Sequence, residues 1–221
     1  KVFGYDSFRT GQEEIVDNIL LGRDVCGIMP TGAGKSICYQ LPALLLPGIT
    51  IVVSPLISLM IDQVKALNEA GVHAAYINSA LTENQITKAL CNAMCGRYKI
   101  VYVAPERLET NRFLEFVLNA DISMITIDEA HCISQWGQDF RPSYLKIVNL
   151  IKMLPKRPVV SAFTATATQA VKDDIVCVLG LNNPFIKVTG FDRSNLYFEV
   201  RQPNNKDAEV LNYVLSHRDD S

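Results

Sequence analysis

The sequence contains few of the residues from which metal sites, disulfide scaffolds and nucleophilic active sites are built. Its 221 residues include three histidines and six cysteines. The histidines do not have a spacing typical of zinc ligands, and there is no G-x-S-x-G motif. The cysteines are too few for a disulfide scaffold, and we interpret them as reduced thiols that pack as small hydrophobic residues. Zinc-dependent and serine-nucleophile hydrolysis therefore have no support in the sequence.

An excess of positive charge is also lacking. Lysine and arginine total 21 against 23 aspartate and glutamate residues, so the net charge is −2 and the pI is about 5.9. A protein that holds nucleic acid through its overall charge is more basic than this, so we expect any nucleic-acid contact on a localised surface. The hydrophobic fraction of 48% and charged fraction of 20% are ordinary for a globular protein and exclude a disordered or collagen-like chain.

One uncharged run, from Ser36 to Ile61, is long enough to cross a bilayer. Pro42, Pro55 and the Pro47-Gly48 turn interrupt it, however. The run is better interpreted as a helix, a turn, a buried strand and the start of a second helix. We therefore expect no membrane partner.

Short apolar segments alternate with helical patterns along most of the chain. Several segments lack polar alternation, as in Ile51-Val52-Val53, which is typical of strands covered on both faces. The pattern predicts an α/β fold with a doubly wound, mainly parallel sheet and helices on both faces. Such sheets bind ligands at the carboxyl ends of their strands. The predicted strands cover residues 24–29, 50–53, 73–77, 100–103, 122–127, 159–163 and 185–188, and the predicted helices cover residues 15–21, 35–45, 56–70, 83–94, 113–118, 144–154 and 170–179.

The length exceeds that of one average domain, and the pattern changes near residues 190–195. We predict one domain at residues 1–195 and the truncated start of a second domain at residues 196–221. The second part is predicted to contain a strand at 196–200 and a helix at 207–217.

A glycine-rich segment follows the first predicted strand and precedes a helix. It fits the end of the phosphate-loop pattern G-x-x-x-x-G-K-[ST], although Met29 replaces the first glycine. Glycines here allow backbone N–H groups to surround phosphate oxygens. Lys35 is predicted to neutralise the β- and γ-phosphates, and Ser36 to bind Mg²⁺. The predicted nucleotide-binding residues of this loop are Thr31, Gly32, Ala33, Gly34, Lys35 and Ser36.

A pair of carboxylates, Asp128 and Glu129, follows the predicted strand at residues 122–127. A buried strand that ends in an acidic residue requires a nearby cation. Mg²⁺ bound to a triphosphate meets this need with Asp128 as a ligand, and Glu129 is then suited to orient or deprotonate the attacking water. The alternative is that both acids stabilise a helix N-terminus.

The phosphate loop and the Asp-Glu-Ala-His segment at residues 128–131 resemble the core of superfamily 2 helicases. Further segments between Phe3 and Asn195 resemble the RecQ family of DNA helicases, a resemblance that covers nearly the whole chain. Residues 191–195 resemble the segment that leads out of the family's first motor domain, with Ser194 where proline is common.

Residues 3–12 resemble the adenine-recognition motif of the RecQ family, with Thr10 where proline is usual. The resemblance implies that Gln12 binds the edge of adenine through its amide and that Tyr5 and Arg9 stack on the base. The residues alone also allow another interpretation, in which Tyr5 and Phe8 form a hydrophobic staple for the following helix.

Three later segments, at residues 54–60, 104–108 and 131–142, resemble DNA-facing motifs of the family, and the last looks like the RecQ aromatic-rich loop. In this loop Gln138 stands where the family usually has histidine. The resemblance implies that DNA contact is coupled to the nucleotide site through His131. The alternatives are that Ser54 or Ser58 caps a helix and that Trp136 packs beneath the loop. The implied DNA-binding residues are Ser54, Arg107, Trp136, Phe140 and Arg141.

Residues 163–168 resemble helicase motif III, whose hydroxyl groups link the carboxylate pair to the DNA side. The segment from Thr164 to Thr168 is also consistent with a helix N-cap. The two interpretations of this segment are compatible.

The resemblance implies the first RecA-like motor domain of a RecQ-type, ATP-dependent 3′→5′ DNA helicase. Its implied cofactors are ATP and Mg²⁺, its catalytic residues Lys35, Asp128, Glu129 and His131, and its partners single-stranded and forked DNA and a second motor domain in cis. That domain supplies an arginine finger, worth roughly 10³–10⁵ in rate, so we expect this chain alone to hydrolyse ATP poorly. The implied location is the nucleoid of a bacterium or the nucleus of a eukaryote.

Three alternatives remain at this point. A DEAH-type RNA helicase shares the phosphate loop and the carboxylate pair. A nucleotide-regulated module that binds DNA without unwinding it needs the same residues without catalysis. A small-molecule P-loop kinase needs a lid and an acceptor site, for which the sequence has no candidate.

Overall fold

Seven parallel strands form one sheet at the centre of the first part of the molecule. The computed structural model describes residues 2–136, 139–190, 199–200, 202–203 and 205–216. The strands are β1 (Val25–Ile28), β2 (Ile49–Val53), β3 (Ala74–Ile77), β4 (Ile100–Val103), β5 (Ile122–Ile127), β6 (Val159–Thr164) and β7 (Phe185–Val188). Their order across the sheet is β3-β4-β2-β5-β6-β1-β7, and each pair is parallel. The predicted parallel α/β fold is confirmed.

Two layers of helices cover the two faces of this sheet. Successive residues of β2 alternate between them: Ile51 and Val53 belong to one hydrophobic core and Val52 to the other. The core around Val52 contains apolar residues of α1 (Gln12–Leu20), α2 (Lys35–Leu45) and α3 (Ile57–Glu69). The core around Ile51 and Val53 contains apolar residues of α4 (Glu83–Met94), α5 (Asn111–Asn119), α6 (Leu145–Met153) and α7 (Gln169–Leu179).

Local sequence signals explain several helix ends. Thr82 and Gln85 form a capping box at the start of α4, in which each side chain bonds the other residue's backbone N–H. The hydroxyl of Thr168 accepts a hydrogen bond from the Val171 N–H at the start of α7, which confirms the predicted cap, and Gly180 ends that helix in a left-handed conformation. By contrast, α3 has no side-chain cap and begins after Leu56, so the proposed capping by Ser54 or Ser58 is wrong.

The sheet order brings four loops together at one edge. Strands β2, β5, β6 and β1 are neighbours in that order, and because they are parallel their carboxyl ends lie side by side. The phosphate loop follows β1, Ser54 follows β2, Asp128 follows β5, and Thr164 is the last residue of β6. This arrangement assembles the candidate site from segments that are far apart in the sequence.

The chain divides into two compact units, Lys1–Gly190 and Phe191–Ser221. The second contains α8 (Lys206–Ser216), none of whose side chains is buried. This helix overlaps the one predicted at 207–217, whose last residue, His217, lies outside the described residues. Residues 191–198, which include most of the strand predicted at 196–200, also lie outside them, and Glu199 and Val200 belong to no strand. Among the described residues, no helix has the length and apolar character needed to cross a bilayer.

Candidate nucleotide site and its aromatic loop

The phosphate loop connects β1 to α2 and has left-handed backbone at two glycines. Gly32 has φ +84° and Gly34 has φ +82°, conformations that glycine adopts without strain. Met29 replaces the usual first glycine but does not have a positive φ, and its side chain is fully buried in the core. This explains why the departure from the pattern is tolerated. The Lys35 ammonium donates a hydrogen bond to the Met29 carbonyl, with an Nζ–O distance of 3.1 Å.

Gln12 joins the start of α1 to the phosphate loop. Its side chain is buried, and Nε2 donates to the carbonyl oxygens of Ala33 and Gly34 at 3.1 and 3.2 Å. Oε1 accepts a hydrogen bond from the Arg9 N–H at 2.8 Å. Both amide hydrogens are therefore engaged, and one lone pair of Oε1 is left for a ligand. The predicted bidentate pairing with adenine, which needs an N–H donor as well, does not fit this arrangement.

A cavity of about 600 Å³ lies between the N-terminal segment, the phosphate loop and the carboxylates. Tyr5 and Phe8 line it and are 64% and 42% exposed, so neither forms the alternative hydrophobic staple. Arg9 also lines the cavity and its guanidinium donates to the Gly32 carbonyl. The predicted site residues Thr31, Gly32, Gly34, Lys35, Ser36, Asp128 and Glu129 border the same space. Ala33 is half-buried and its carbonyl faces Gln12 instead.

Asp128 is a buried carboxylate at the carboxyl end of β5. Its Oδ2 accepts a hydrogen bond from the Ser54 hydroxyl at 3.4 Å, and its Oδ1 accepts one from the Glu129 N–H at 3.0 Å. Burial raises the pKa of Asp128 to about 6, and the charge of Glu129 contributes to the rise. The backbone carbonyl of the same residue accepts a hydrogen bond from the Tyr144 hydroxyl at 2.9 Å.

Glu129 and His131 form a second polar cluster beside Asp128. Glu129 has left-handed backbone, with φ +48°, which a non-glycine residue adopts rarely. His131 Nδ1 lies 2.8 Å from the Thr164 hydroxyl oxygen and 3.3 Å from Glu129 Oε2. The hydrogen bond from His131 lowers the pKa of Glu129, so Glu129 is a carboxylate at neutral pH. Hydrogen bonds to the Cys132 sulfur and to Glu129 raise the pKa of His131 to about 10.

The aromatic loop, defined here as residues 131–142, leads away from this cluster. Ser134 donates to Asp174 on α7 at 2.8 Å and accepts a hydrogen bond from the Trp136 N–H at 3.2 Å. The Trp136 side chain is 77% exposed, so the alternative in which it packs beneath the loop is wrong. The Arg141 guanidinium pairs with Asp139 at 3.0 Å.

The other predicted DNA-binding residues have different surroundings. Phe140 is half-buried, and Arg107 is half-buried and lies 3.8 Å from Glu83. Ser54 is 1% exposed and bonded to Asp128. Its predicted contact with DNA is therefore corrected to a contact with the carboxylate site. Gln138, the predicted departure from the family, lies outside the described residues.

The same region of the chain matches a known protein family. Residues 9–174 match the family model described as DEAD/DEAH box helicase. The chain belongs to the DEAD/DEAH box helicase family. The matched range contains the phosphate loop, the Asp-Glu-Ala-His segment and the aromatic loop.

Two curated proteins that are similar to this DEAD/DEAH box helicase chain share one name, ATP-dependent DNA helicase RecQ. The chain is 50% identical over 217 residues to the ATP-dependent DNA helicase RecQ of Bacillus subtilis (strain 168). It is 43% identical over 217 residues to the protein of that name from Pasteurella multocida (strain Pm70). Each alignment covers 98% of this chain, but the chain spans only 37% and 34% of the two relatives. The predicted resemblance to RecQ helicases is confirmed.

A solved structure confirms the RecA-like helicase fold of the chain. The helicase domain of Pyrococcus furiosus Hef superimposes with a TM-score of 0.63, covering 81% of this chain and 38% of that chain. At 20% sequence identity, this likeness concerns the fold alone.

Two contacts of this candidate site, at Tyr144 and at Ser134, had no signal in the sequence, whereas a third, at Thr164, did. Tyr144 is fully buried beneath Asp128, but in the sequence it is one aromatic residue at a helix start. The pairing of Ser134 with Asp174 joins residues 40 positions apart. The link from His131 to Thr164 agrees with the role that the motif III resemblance implies for its hydroxyl groups.

Proposed function

We propose that this chain is a motor domain that binds Mg²⁺-ATP and single-stranded DNA and couples ATP hydrolysis to 3′→5′ unwinding. The observation that carries the proposal is that one residue, His131, both contacts a carboxylate of the cavity and begins the loop that exposes a tryptophan. Glu129 borders the cavity and lies 3.3 Å from His131, and His131 begins the loop that exposes Trp136.

Nucleotide binding is supported by the lining of the cavity. Its volume of about 600 Å³ is in the range of small-molecule and cofactor sites, about 300–1,000 Å³. Lys35 and the N-terminus of α2 supply positive charge for phosphate groups. Tyr5 lines the same cavity, is exposed, and is suited to stack on a base. Gln12 contributes at most one further hydrogen bond to that base, through the remaining lone pair of Oε1.

The carboxylates fit Mg²⁺ by their chemistry. A buried carboxylate whose pKa is raised by burial and by a neighbouring acid, as at Asp128, is stabilised by a divalent cation. The proposed ligands are Asp128 and the Ser36 hydroxyl, which border the same cavity. When bound, Mg²⁺ neutralises charge on the β- and γ-phosphates.

The remaining steps of ATP hydrolysis are assigned to side chains of this chain. Lys35 holds the phosphate oxygens, and Glu129, whose pKa is lowered by the hydrogen bond from His131, accepts the proton of the attacking water. His131 holds Glu129 in place through Nδ1 and is itself held by Thr164. A shift of the aromatic loop on DNA binding would act on this cluster directly, because His131 belongs to both.

DNA binding is supported by the exposure of Trp136. Stacking of a base on an aromatic side chain is worth about 1–3 kcal/mol. Arg141 of the same loop pairs with Asp139 and is a candidate partner for a backbone phosphate. This favours a nucleic-acid partner over the kinase alternative, which leaves an exposed tryptophan unexplained.

The test is ATP hydrolysis by the protein that carries this chain, with single-stranded DNA and RNA oligonucleotides of the same sequence. We expect DNA to stimulate hydrolysis more than RNA, and Trp136→Ala to abolish most of the stimulation while unstimulated hydrolysis persists. Equal stimulation by RNA would favour the RNA helicase alternative. Hydrolysis that does not respond to Glu129→Gln would favour a DNA-binding module without a motor function.

A further inference from the structure

Three side chains of different chemistry meet at the start of the aromatic loop. The ligand atoms of His131, Cys132 and Asp139 all lie within 4.8 Å of one another. The Cys132 sulfur is 3.8 Å from His131 Nε2 and 3.6 Å from Asp139 Oδ2. In a tetrahedral zinc site, with bonds of about 2.0–2.3 Å, neighbouring ligand atoms are about 3.5 Å apart. The two measured distances are close to that value.

The histidine is oriented as a metal ligand requires. The Thr164 hydroxyl donates its hydrogen to the Thr166 carbonyl at 3.1 Å, so toward His131 it acts as an acceptor. Nδ1 of His131 therefore carries a hydrogen, which it shares between the Thr164 hydroxyl oxygen at 2.8 Å and Glu129 Oε2 at 3.3 Å. This leaves Nε2 as the nitrogen that faces the sulfur, held by the kind of outer contact that fixes ligating histidines.

The other two side chains of the cluster differ in their exposure to solvent. Cys132 is fully buried, whereas the Asp139 side chain is 54% exposed. The hydrogen bond from Arg141 lowers the pKa of Asp139, so this group is a carboxylate. The cluster is thus open to solvent on the Asp139 side and closed on the Cys132 side, with room for water as the fourth ligand of a tetrahedral ion.

We propose that His131 Nε2, Cys132 Sγ and Asp139 Oδ2 form a binding site for a thiophilic divalent cation, with Zn²⁺ as the metal that fits this ligand set. The cation replaces the thiol hydrogen and any hydrogen on Nε2, so each binding event releases protons to solvent. The site is distinct from the Mg²⁺ site proposed at Asp128 and Ser36, whose ligands are all oxygen atoms.

Occupation of this site has a consequence that rests on the proposed function. The cation would tie Asp139 of the aromatic loop to His131, the residue that holds Glu129. We therefore expect Zn²⁺ to slow DNA-stimulated ATP hydrolysis.

The test uses Co²⁺ as a spectroscopic probe, because a thiolate ligand gives Co²⁺ a charge-transfer absorption band. The chain has three exposed cysteines, Cys91, Cys95 and Cys177, and their replacement by serine gives a control protein in which these thiols cannot contribute. We expect the band to persist in this control, to disappear when Cys132→Ser is added, and to be displaced by Zn²⁺.

Two further variants protect the test against a failure of Cys132→Ser to fold. Asp139→Asn alters an exposed side chain and is expected to weaken Co²⁺ binding by more than about tenfold, and Thr164→Val, which removes the outer contact, by about tenfold or more. A band that survives Cys132→Ser, that is lost in the three-cysteine control, or whose affinity is unchanged in Asp139→Asn would overturn the proposal. The measurement does not depend on hydrolysis, so it stands or fails separately from the proposed function.

Discussion

Replacing Gln12 with alanine removes three hydrogen bonds that join α1 to the phosphate loop and to Arg9. A typical hydrogen bond contributes about 0.5–1.5 kcal/mol net, so three contribute about 1.5–4.5 kcal/mol. The Ala33 and Gly34 carbonyls lie in a half-buried loop, where water takes over part of the lost bonding. We therefore expect a cost of about 2 kcal/mol to the ordered loop, which is about 30-fold in nucleotide affinity.

This loss should affect every nucleotide, because the amide donors of Gln12 contact the loop that holds phosphates. The assay is calorimetric titration of the chain with non-hydrolysable ATP and GTP analogues in the presence of Mg²⁺. Gln12→Ala is expected to weaken both, with a further loss for the ATP analogue of no more than about tenfold, the value of one hydrogen bond. Glu13→Ala, which alters an exposed neighbour on α1, is the control and should change neither affinity.

Unchanged affinity for the GTP analogue in Gln12→Ala would refute this reasoning. It would mean that Gln12 contacts only the base and that the loop keeps its conformation without the three hydrogen bonds.

Three other predictions concern buried charges and catalysis. Asp24→Ala should lower the free energy of unfolding in urea by about 3–5 kcal/mol, because buried Asp24 accepts hydrogen bonds from Arg157 and from two backbone N–H groups. The control Lys65→Ala, which breaks an exposed ion pair, should cost less than about 1 kcal/mol. Equal losses of unfolding free energy in the two variants would contradict the account. Glu129→Gln should lower hydrolysis by about 10²–10⁴-fold while retaining affinity for the ATP analogue; a small loss in rate would exclude Glu129 as the base. The folded-state pKa of Asp128, about 6, lies above its ordinary value of 3.8, so this group destabilises the fold as pH rises from about 4 to about 6. Without Mg²⁺, Asp128→Asn should therefore increase the free energy of unfolding at about pH 7 by up to about 3 kcal/mol. The gain should become small only below about pH 4, and a gain independent of pH would contradict this.

The strands were predictable because their chemistry is local. Residues 51–53 are apolar without alternation, and residues 125–127 interrupt their apolar run only with Thr126. Both segments are buried in the sheet as predicted. The apolar pattern alone places the start of α1 too late, at residue 15, because Gln12, Glu13 and Glu14 are polar and extend the helix before its first apolar residue. The left-handed Gly11 that precedes them marks the boundary only once the backbone is known.

Site residues were predictable where a motif fixes both identity and position. Lys35, Asp128 and Glu129 border one cavity as predicted. Ser54 was assigned to DNA because its segment follows a strand and resembles a DNA-facing motif, but the strand order sets β2 beside β5 and the hydroxyl contacts Asp128. The cluster of His131, Cys132 and Asp139, proposed here as a metal site, was missed because two of its residues are adjacent and the third is seven residues away, a spacing typical of no zinc motif.

The most direct test of the central claim, that one chain links a nucleotide cavity to a DNA-facing loop, uses its single tryptophan. Trp136 fluorescence is followed while single-stranded DNA is added, with and without a saturating ATP analogue and Mg²⁺. The account predicts that DNA quenches the fluorescence, because a base stacks on the exposed ring, and that the nucleotide changes the DNA affinity. Fluorescence that does not respond to DNA, or a DNA affinity that is the same with and without nucleotide, would contradict it.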